Sequence, residues 1–244
     1  MKLKKIIGVL ESIASPELKE DWDNVGLMIG TEDKDVDKIL IALDFNSLVL
    51  EEAIKLKANL IITHHPLIFN PLKNITDERI LKAIKNDIAV YSMHTNLDNA
   101  VNGVNYALSE KLGIYNCLSS GMIRFGYIPE TTFGDYIDIV KRELETSSVR
   151  TVGNPQKTIR KVAVLGGSGG SMLNDAFPLN CDLYITGECA YNYALDAFER
   201  GLCVIAAGHF ETENPVVAKL KKMLELRIDA EIFESKVKNI YKTV

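Results

Sequence analysis

Two adjacent histidines, His64 and His65, end an apolar run in "LIITHHPLIF" (60–69), and a proline follows at once. The other two histidines, His94 and His209, each open a His-x-x-x-acid pattern that closes on Asp98 and Glu213. A further carboxylate, Glu188, follows "YITG". Imidazole and carboxylate together suit borderline divalent ions: zinc, iron, manganese or cobalt. Five or more such ligands among these seven residues exceed what one tetrahedral ion takes; two ions sharing a bridging carboxylate would use them. Plainer readings exist for each piece. A histidine pair is often only half-buried surface, a lone His-x-x-x-Glu can be a solvated i, i+4 pair, and an acid in a first helical turn is favoured by the dipole. The last of these roles is compatible with ligation.

The elements that must position these groups are legible in outline. Short apolar runs at 38–44, 59–63, 88–92, 161–166, 182–186 and 202–206 read as buried strands. Helical patterns lie between them at 47–57, 77–86, 99–112, 133–145, 191–200 and 213–226. Gly113 and Gly201 suit helix ends and Pro215 a first turn. Strand and helix in alternation predict α/β layers. The carboxyl ends of such strands open onto ligand-binding crevices, and there the seven residues fall. Neighbouring side chains on a strand face opposite ways, so both rings of the pair could not serve one place from within it. If the chain leaves the strand after Thr63, that restriction lifts, and each ring can hold a different ion.

An internal repeat strengthens the case. Shifted by 123 positions, Lys38 falls on Lys161, Ala53 on Ala176, Leu56 on Leu179, Ile62 on Ile185 and Thr63 on Thr186. Shifted by 115, "YSMHTNLD" lies over "AAGHFETE", pairing His94 with His209 and Asp98 with Glu213. Polar residues thus recur at matching strand ends in two halves, approximately 1–120 and 121–244, which are free to exchange terminal elements. The "GGSGG" at 166–170 lacks the lysine of a phosphate loop and reads as a tight strand-to-helix turn.

Composition bounds the function. The net charge of −5 argues against a broadly basic, nucleic-acid-coating surface. No apolar stretch has the length of a membrane span. The opening "MKLKKIIGVL" has too short an apolar run for a signal peptide; Leu3, Ile6, Ile7, Leu10 and Ile13 mark an amphipathic helix ending near Ser15-Pro16. Cys117, Cys181, Cys189 and Cys203 are scattered and read as reduced thiols, so a cytoplasmic location is expected.

Taken together, "DWDNVGLMIG", "LIITHHPLIF", "HTNLDNAVNGVN", "YITGE" and "AGHFETE" resemble the GTP cyclohydrolase I type 2 homologue family, also called the Nif-three-like family. The resemblance covers nearly the whole chain. It implies an α/β fold of two related α/β/α halves, with a metal site at the strand carboxyl ends between them. It also implies two divalent ions per subunit and a toroidal homo-hexamer. The stretch "GMIRFGYIPETTFGDYIDIVKREL" runs through the place where some members insert a domain, so this resembles the short form. Carried over by residue, His64 and His209 would share one ion, His65 and Asp98 the other, and Glu213 would bridge both. His94 and Glu188 match positions that do not ligate and become the candidate catalytic residues, as proton shuttles. One departure stands out: where many members carry histidine shortly after "TGE", this chain has Tyr191 and Asn192. The activity implied is metal-dependent hydrolysis of a nucleotide-like substrate, with Arg124, Arg150 and Arg160 available to phosphate. The alternative is a metal-binding scaffold associated with DNA or a transcription factor, with DNA binding the less favoured.

Overall fold

The computed structural model describes residues 1–242. The chain forms two compact units, each around its own sheet. Met1–Gly103 with Val217–Lys238 make the first; Val104–Val216 with the residues from Asn239 make the second. The first unit thus stops before residue 120 and takes back a late segment.

The first unit opens with helix α1 (Leu3–Ile13), which buries Leu3, Ile6 and Leu10, the face its apolar spacing predicts. Its sheet contains β1 (Gly26–Ile29), β2 (Lys38–Ala42), β3 (Leu60–Thr63) and β4 (Ala89–Ser92). Three of these, β2, β3 and β4, run parallel and adjacent, with Ala42, Thr63 and Ser92 in register at their carboxyl ends. β1 pairs antiparallel with β4. Helices α2 (Ser47–Leu56) and α3 (Glu78–Lys85) connect the parallel strands, and the five-residue α4 (Thr95–Asn99) follows β4. All of β3 is buried, as its unbroken apolar run requires. Leu40, Ala42, Ile61 and Val90 pack with Val49, Leu50, Ala53 and Ala83 of the helices.

The second unit begins with α5 (Val104–Lys111). The helix expected over 99–112 is therefore shorter, beginning only at Val104, while α4 ends at Asn99. At Gly103 the backbone comes so close to the Leu97 carbonyl that a side chain could not fit. The second sheet comprises β5 (Tyr115–Ser120), β6 (Ile123–Thr132), β7 (Arg150–Val152), β8 (Thr158–Leu165), β9 (Leu183–Thr186) and β10 (Cys203–Ala206). Its central trio β8-β9-β10 is parallel, with Leu165, Thr186 and Ala206 in register, and β7 closes on β10 antiparallel. Both faces are covered: Val162, Val164, Leu183 and Ile185 sit in one apolar cluster, and the alternating Ala163, Leu165 and Tyr184 in another. Helices α6 (Phe133–Glu143), α7 (Leu173–Ala176), α8 (Tyr191–Glu199) and α9 (His209–Glu213) belong to this unit. The remaining helix, α10 (Pro215–Glu225), starts on the proline that marks it in sequence, and β11 (Glu231–Glu234) then joins the first sheet parallel to β2.

Each sheet therefore carries a parallel trio with an antiparallel neighbour on its third strand. No helix among the described residues is long and apolar enough to cross a membrane.

Candidate metal centre

β3 ends at Thr63, and the chain turns there. The Thr63 hydroxyl donates to the His65 carbonyl at 2.9 Å, and the His64 and His65 N–H groups both donate to the Leu43 carbonyl, at 3.1 and 2.9 Å. Strand alternation no longer applies, and the two rings lie 4.9 Å apart, centroid to centroid. His94, just before α4, brings a third ring to within 5.2 Å of His64 and 5.6 Å of His65. One ring nitrogen from each of the three lies within 4.8 Å of the others. Asp98, one turn along, places Oδ1 3.8 Å from His64 Nε2.

The orientation of these rings is set from behind. His64 Nδ1 lies 2.8 Å from the Met93 carbonyl oxygen, His65 Nδ1 2.7 Å from Asp44 Oδ1, and His94 Nδ1 2.8 Å from Asp23 Oδ1. Carbonyl and carboxylate oxygens only accept, so each Nδ1 donates to its partner and each Nε2 is turned the other way. This is the arrangement that aims imidazole at a metal. Asp23 is buried. Burial raises its pKa, but hydrogen bonds from the Thr95 hydroxyl, His94 and the Thr95 N–H outweigh that and hold it below the usual carboxylate range. Asp23 thus remains an acceptor for His94.

The second unit builds its own set. Its strand-end threonine, Thr186, precedes Gly187 and Glu188. His209 opens α9 and Glu213 closes it, with His209 Nε2 3.1 Å from Glu213 Oε2. Glu188 approaches the same ring from the other side, Oε1 3.3 Å from Nδ1. Ser168 steadies Glu188 by donating to Oε2 at 2.8 Å. Glu213 is buried, and the glycine run explains how it fits. Gly167 has φ +58°, and a side chain there would strike the Glu213 carboxylate and the His209 ring. The turn expected at "GGSGG" is present, and it also makes room for the Glu213 carboxylate.

The seven residues singled out by sequence thus fall into two groups: His64, His65, His94 and Asp98 in the first unit, and Glu188, His209 and Glu213 in the second. Sequence reasoning missed Asp23, Asp44 and Ser168. Asp23 lay in the "DWDN" motif, and Asp44 occupies the repeat position of Gly167. The three arginines offered for phosphate are engaged otherwise or carry no such signal. Arg124 is buried and donates to the Gly121 and Met122 carbonyls, Arg160 lies over the Tyr127 ring, and Arg150 is exposed on β7. Tyr191 is 83% exposed at the start of α8.

Comparison with known proteins gives this geometry a family. A model described as Duf34/NIF3 (NGG1p interacting factor 3) matches residues 1–240. The chain belongs to the Duf34/NIF3 family. It is 38% identical to a "GTP cyclohydrolase 1 type 2 homolog" of Clostridium perfringens, over 95% of this chain and 94% of that protein. A hypothetical protein of Staphylococcus aureus superposes with a TM-score of 0.92 at 26% identity, covering 100% of this chain and 99% of the other. A Bacillus cereus protein related to NIF3 gives 0.91 at 28%, with the same coverage. The mixed α/β fold with two sheets is that of these neighbours.

Proposed function

We propose that this Duf34/NIF3 chain is a dinuclear metal-dependent hydrolase of a nucleotide-like substrate. One observation carries the reading: His64 and His65 are each held through Nδ1 by an acceptor-only oxygen, which turns Nε2 toward the place a ligand atom would occupy, and His94 beside them is held in the same way. His209 has a carboxylate at each nitrogen, and the one at Nδ1, Glu188, fits the same role. The donor chemistry of imidazole and carboxylate fits zinc, iron, manganese or cobalt. The reading assigns His64 and His209 to one ion, His65 and Asp98 to the other, and Glu213 to both. Ions bound there acidify water and polarise the bond it attacks.

The rest falls to the chain's own side chains. Glu188 is exposed and hydrogen-bonded by Ser168, so it can exchange a proton with solvent and with substrate. His94, fixed by Asp23, presents Nε2 as a donor or acceptor beside the ligands. Relatives bearing the cyclohydrolase name direct the substrate choice toward nucleotides. A homo-oligomer, in the form of a hexamer, belongs to the same reading.

The test begins with metal content of protein purified without chelators, where two ions per chain are expected. Glu213→Gln should remove both, and Asp98→Asn one. A stoichiometry near one that Glu213→Gln leaves unchanged would end the bridged-pair reading. Metal-loaded protein is then assayed on GTP and other nucleotides for formate and phosphate separately. No turnover across a broad nucleotide and phosphoester panel would turn the reading toward a non-catalytic metal scaffold.

A further inference from the structure

We propose that Trp22, backed by Phe69, is the platform on which a planar heteroaromatic ring of the substrate stacks beside His94. This rests on the hydrolase reading and names the residue that would select its substrate class.

Trp22 is 60% exposed, although Glu20, Asp23 and Asn24 around it are hydrogen-bonded to other segments. The Glu20 N–H donates to the Thr95 hydroxyl at 2.9 Å. The Asp23 carboxylate accepts from the Thr95 N–H at 3.0 Å and from His94 Nδ1 at 2.8 Å. The Asn24 side chain donates to the Ile68 carbonyl, fastening this loop to the segment that carries Phe69. A loose loop could fold its indole away. This one holds Asp23 inward and Trp22 outward, and so forgoes the stabilisation that burying a large aromatic side chain brings.

Position gives the exposed ring its meaning. Trp22 and Phe69 lie 5.7 Å apart, tilted by 37°. That is too close for a third ring to enter between them, so the outer surface is what remains to bind. His94 meets both nearly edge-on, at 6.1 Å and 74° for Trp22 and at 6.4 Å and 72° for Phe69. Because Asp23 both follows Trp22 in the chain and grips His94, indole and imidazole are fixed relative to each other. A heterocycle stacked on the indole would lie beside a ring that His94 meets edge-on, and His94 in turn adjoins His64 and His65. Base–aromatic stacking tolerates any flat π-face, which suits a nucleobase better than a sugar or a phosphate.

Trp22 is the chain's single tryptophan, so its emission reports this position alone. Full-length metal-loaded protein is titrated with guanosine, adenosine, ribose 5-phosphate and inorganic phosphate, while calorimetry measures binding independently. Expected are saturable quenching by the two nucleosides and none by the phosphates. Trp22→Ala should weaken nucleoside binding by roughly 5- to 150-fold, with metal content unchanged, and Trp22→Phe should restore most of it. Quenching without turnover supports the platform and counts against the hydrolase reading instead. Nucleoside binding that leaves Trp22 emission and Trp22→Ala affinity unaltered overturns the platform and leaves the hydrolase reading standing. Emission that ignores nucleosides and shifts on dilution overturns it in favour of a contact between copies of this chain. Metal loss in Trp22→Ala also overturns it, since the indole would then be structural.

Discussion

The strand-end Thr63 is followed by two histidines, whereas its counterpart Thr186 is followed by glycine and glutamate. Around both, the backbone is built alike. The Thr63 carbonyl accepts from the Met93 N–H and the Thr186 carbonyl from the Ala207 N–H, both at 2.9 Å. The difference lies in which strand end supplies which group. In the first unit, three imidazoles are steadied from behind by Met93, Asp44 and Asp23. In the second, one imidazole, His209, stands between Glu188 and Glu213. The pairing of a ring with an acceptor at Nδ1 recurs in both, but its members have changed places. Asp44 performs it for His65; the residue at its repeat position is Gly167, and the one at the place of His65 is Glu188. A duplicated frame can keep a chemical relationship while redistributing the residues that form it. Among the seven residues singled out by sequence, the first unit holds three imidazoles and one carboxylate, Asp98, and the second holds one imidazole and two carboxylates.

The sharpest way to break this comparison is to make the second unit resemble the first at Gly167. Gly167→Asp would put a side chain where φ is +58° and the Glu213 carboxylate already lies. Left-handed strain costs about 1–3 kcal/mol, and a second carboxylate beside a buried one adds to it. Urea unfolding should show the second unit destabilised by roughly 2–5 kcal/mol, with metal content lost as well. A variant of wild-type stability would mean that the glycine turn is not what accommodates Glu213.

Glu188→Gln comes next. The amide keeps the shape and a carbonyl acceptor for the Ser168 hydroxyl, but it cannot carry the shuttled proton. Both ions should stay bound while turnover falls by roughly 10²–10⁴-fold. If metal is lost instead, Glu188 is a ligand, and the second unit supplies three of them. Asp44→Gly makes the first unit resemble the second. It removes the acceptor at His65 Nδ1, and metal affinity should fall about 10- to 100-fold with little change in unfolding. Competition with a coloured chelator measures this directly. An unchanged affinity would show that His65 is oriented by its backbone alone.

The fully buried strands were the most legible part of the sequence, because a strand covered on both faces needs an unbroken apolar run, and turn signals bound each run here. The parallel trios and the helices packed on them follow from it. Four strands beyond those trios, β1, β5, β7 and β11, were not legible. β5 is almost wholly exposed, and β1, β7 and β11 are three or four residues long with at most one buried position each. β6 was hidden by its own interruptions. Gly126 lies within it, and Pro129, which has no N–H to donate, falls where its register with β8 slips between Tyr127 and Thr131. At the site, histidines betray themselves by rarity, so all four were found. Asp23 and Asp44 did not, since an aspartate in a loop has many ordinary uses and only the fold reveals which ring it faces. The repeat held a clue in the alignment of Asp44 with Gly167, but nothing in either residue alone says that one steadies a ring and the other makes room.

The smallest effect tests whether the two units respond to acid alike. α3 in the first unit is capped by Asp77, whose carboxylate accepts from the Arg79 N–H at 2.8 Å and pairs with its guanidinium at 2.6 Å. α6 in the second is capped by Thr132, whose hydroxyl accepts from the Asp135 N–H at 3.1 Å. Threonine does not titrate; Asp77 does. The Arg79 side chain beside it lowers its pKa to about 2, against about 3.9 for an unfolded aspartate. A depressed folded pKa means that the cap's contribution is fully present above the unfolded value. It fades as pH falls from about 4 toward 2, because the unfolded chain then binds the proton more readily. The pair is partly exposed, so solvent screening keeps the ionic share small. Asp77→Ala should therefore cost only about 1 kcal/mol near neutral pH, and less at pH 2. Amide hydrogen exchange resolves the two helices separately. Protection in α3 should fall between pH 4 and pH 2, after correction for the intrinsic exchange rate, by more than protection in α6, and Asp77→Ala should remove the excess. Equal losses in both helices would mean that acid acts on carboxylates common to the two units, with the charged cap contributing nothing of its own.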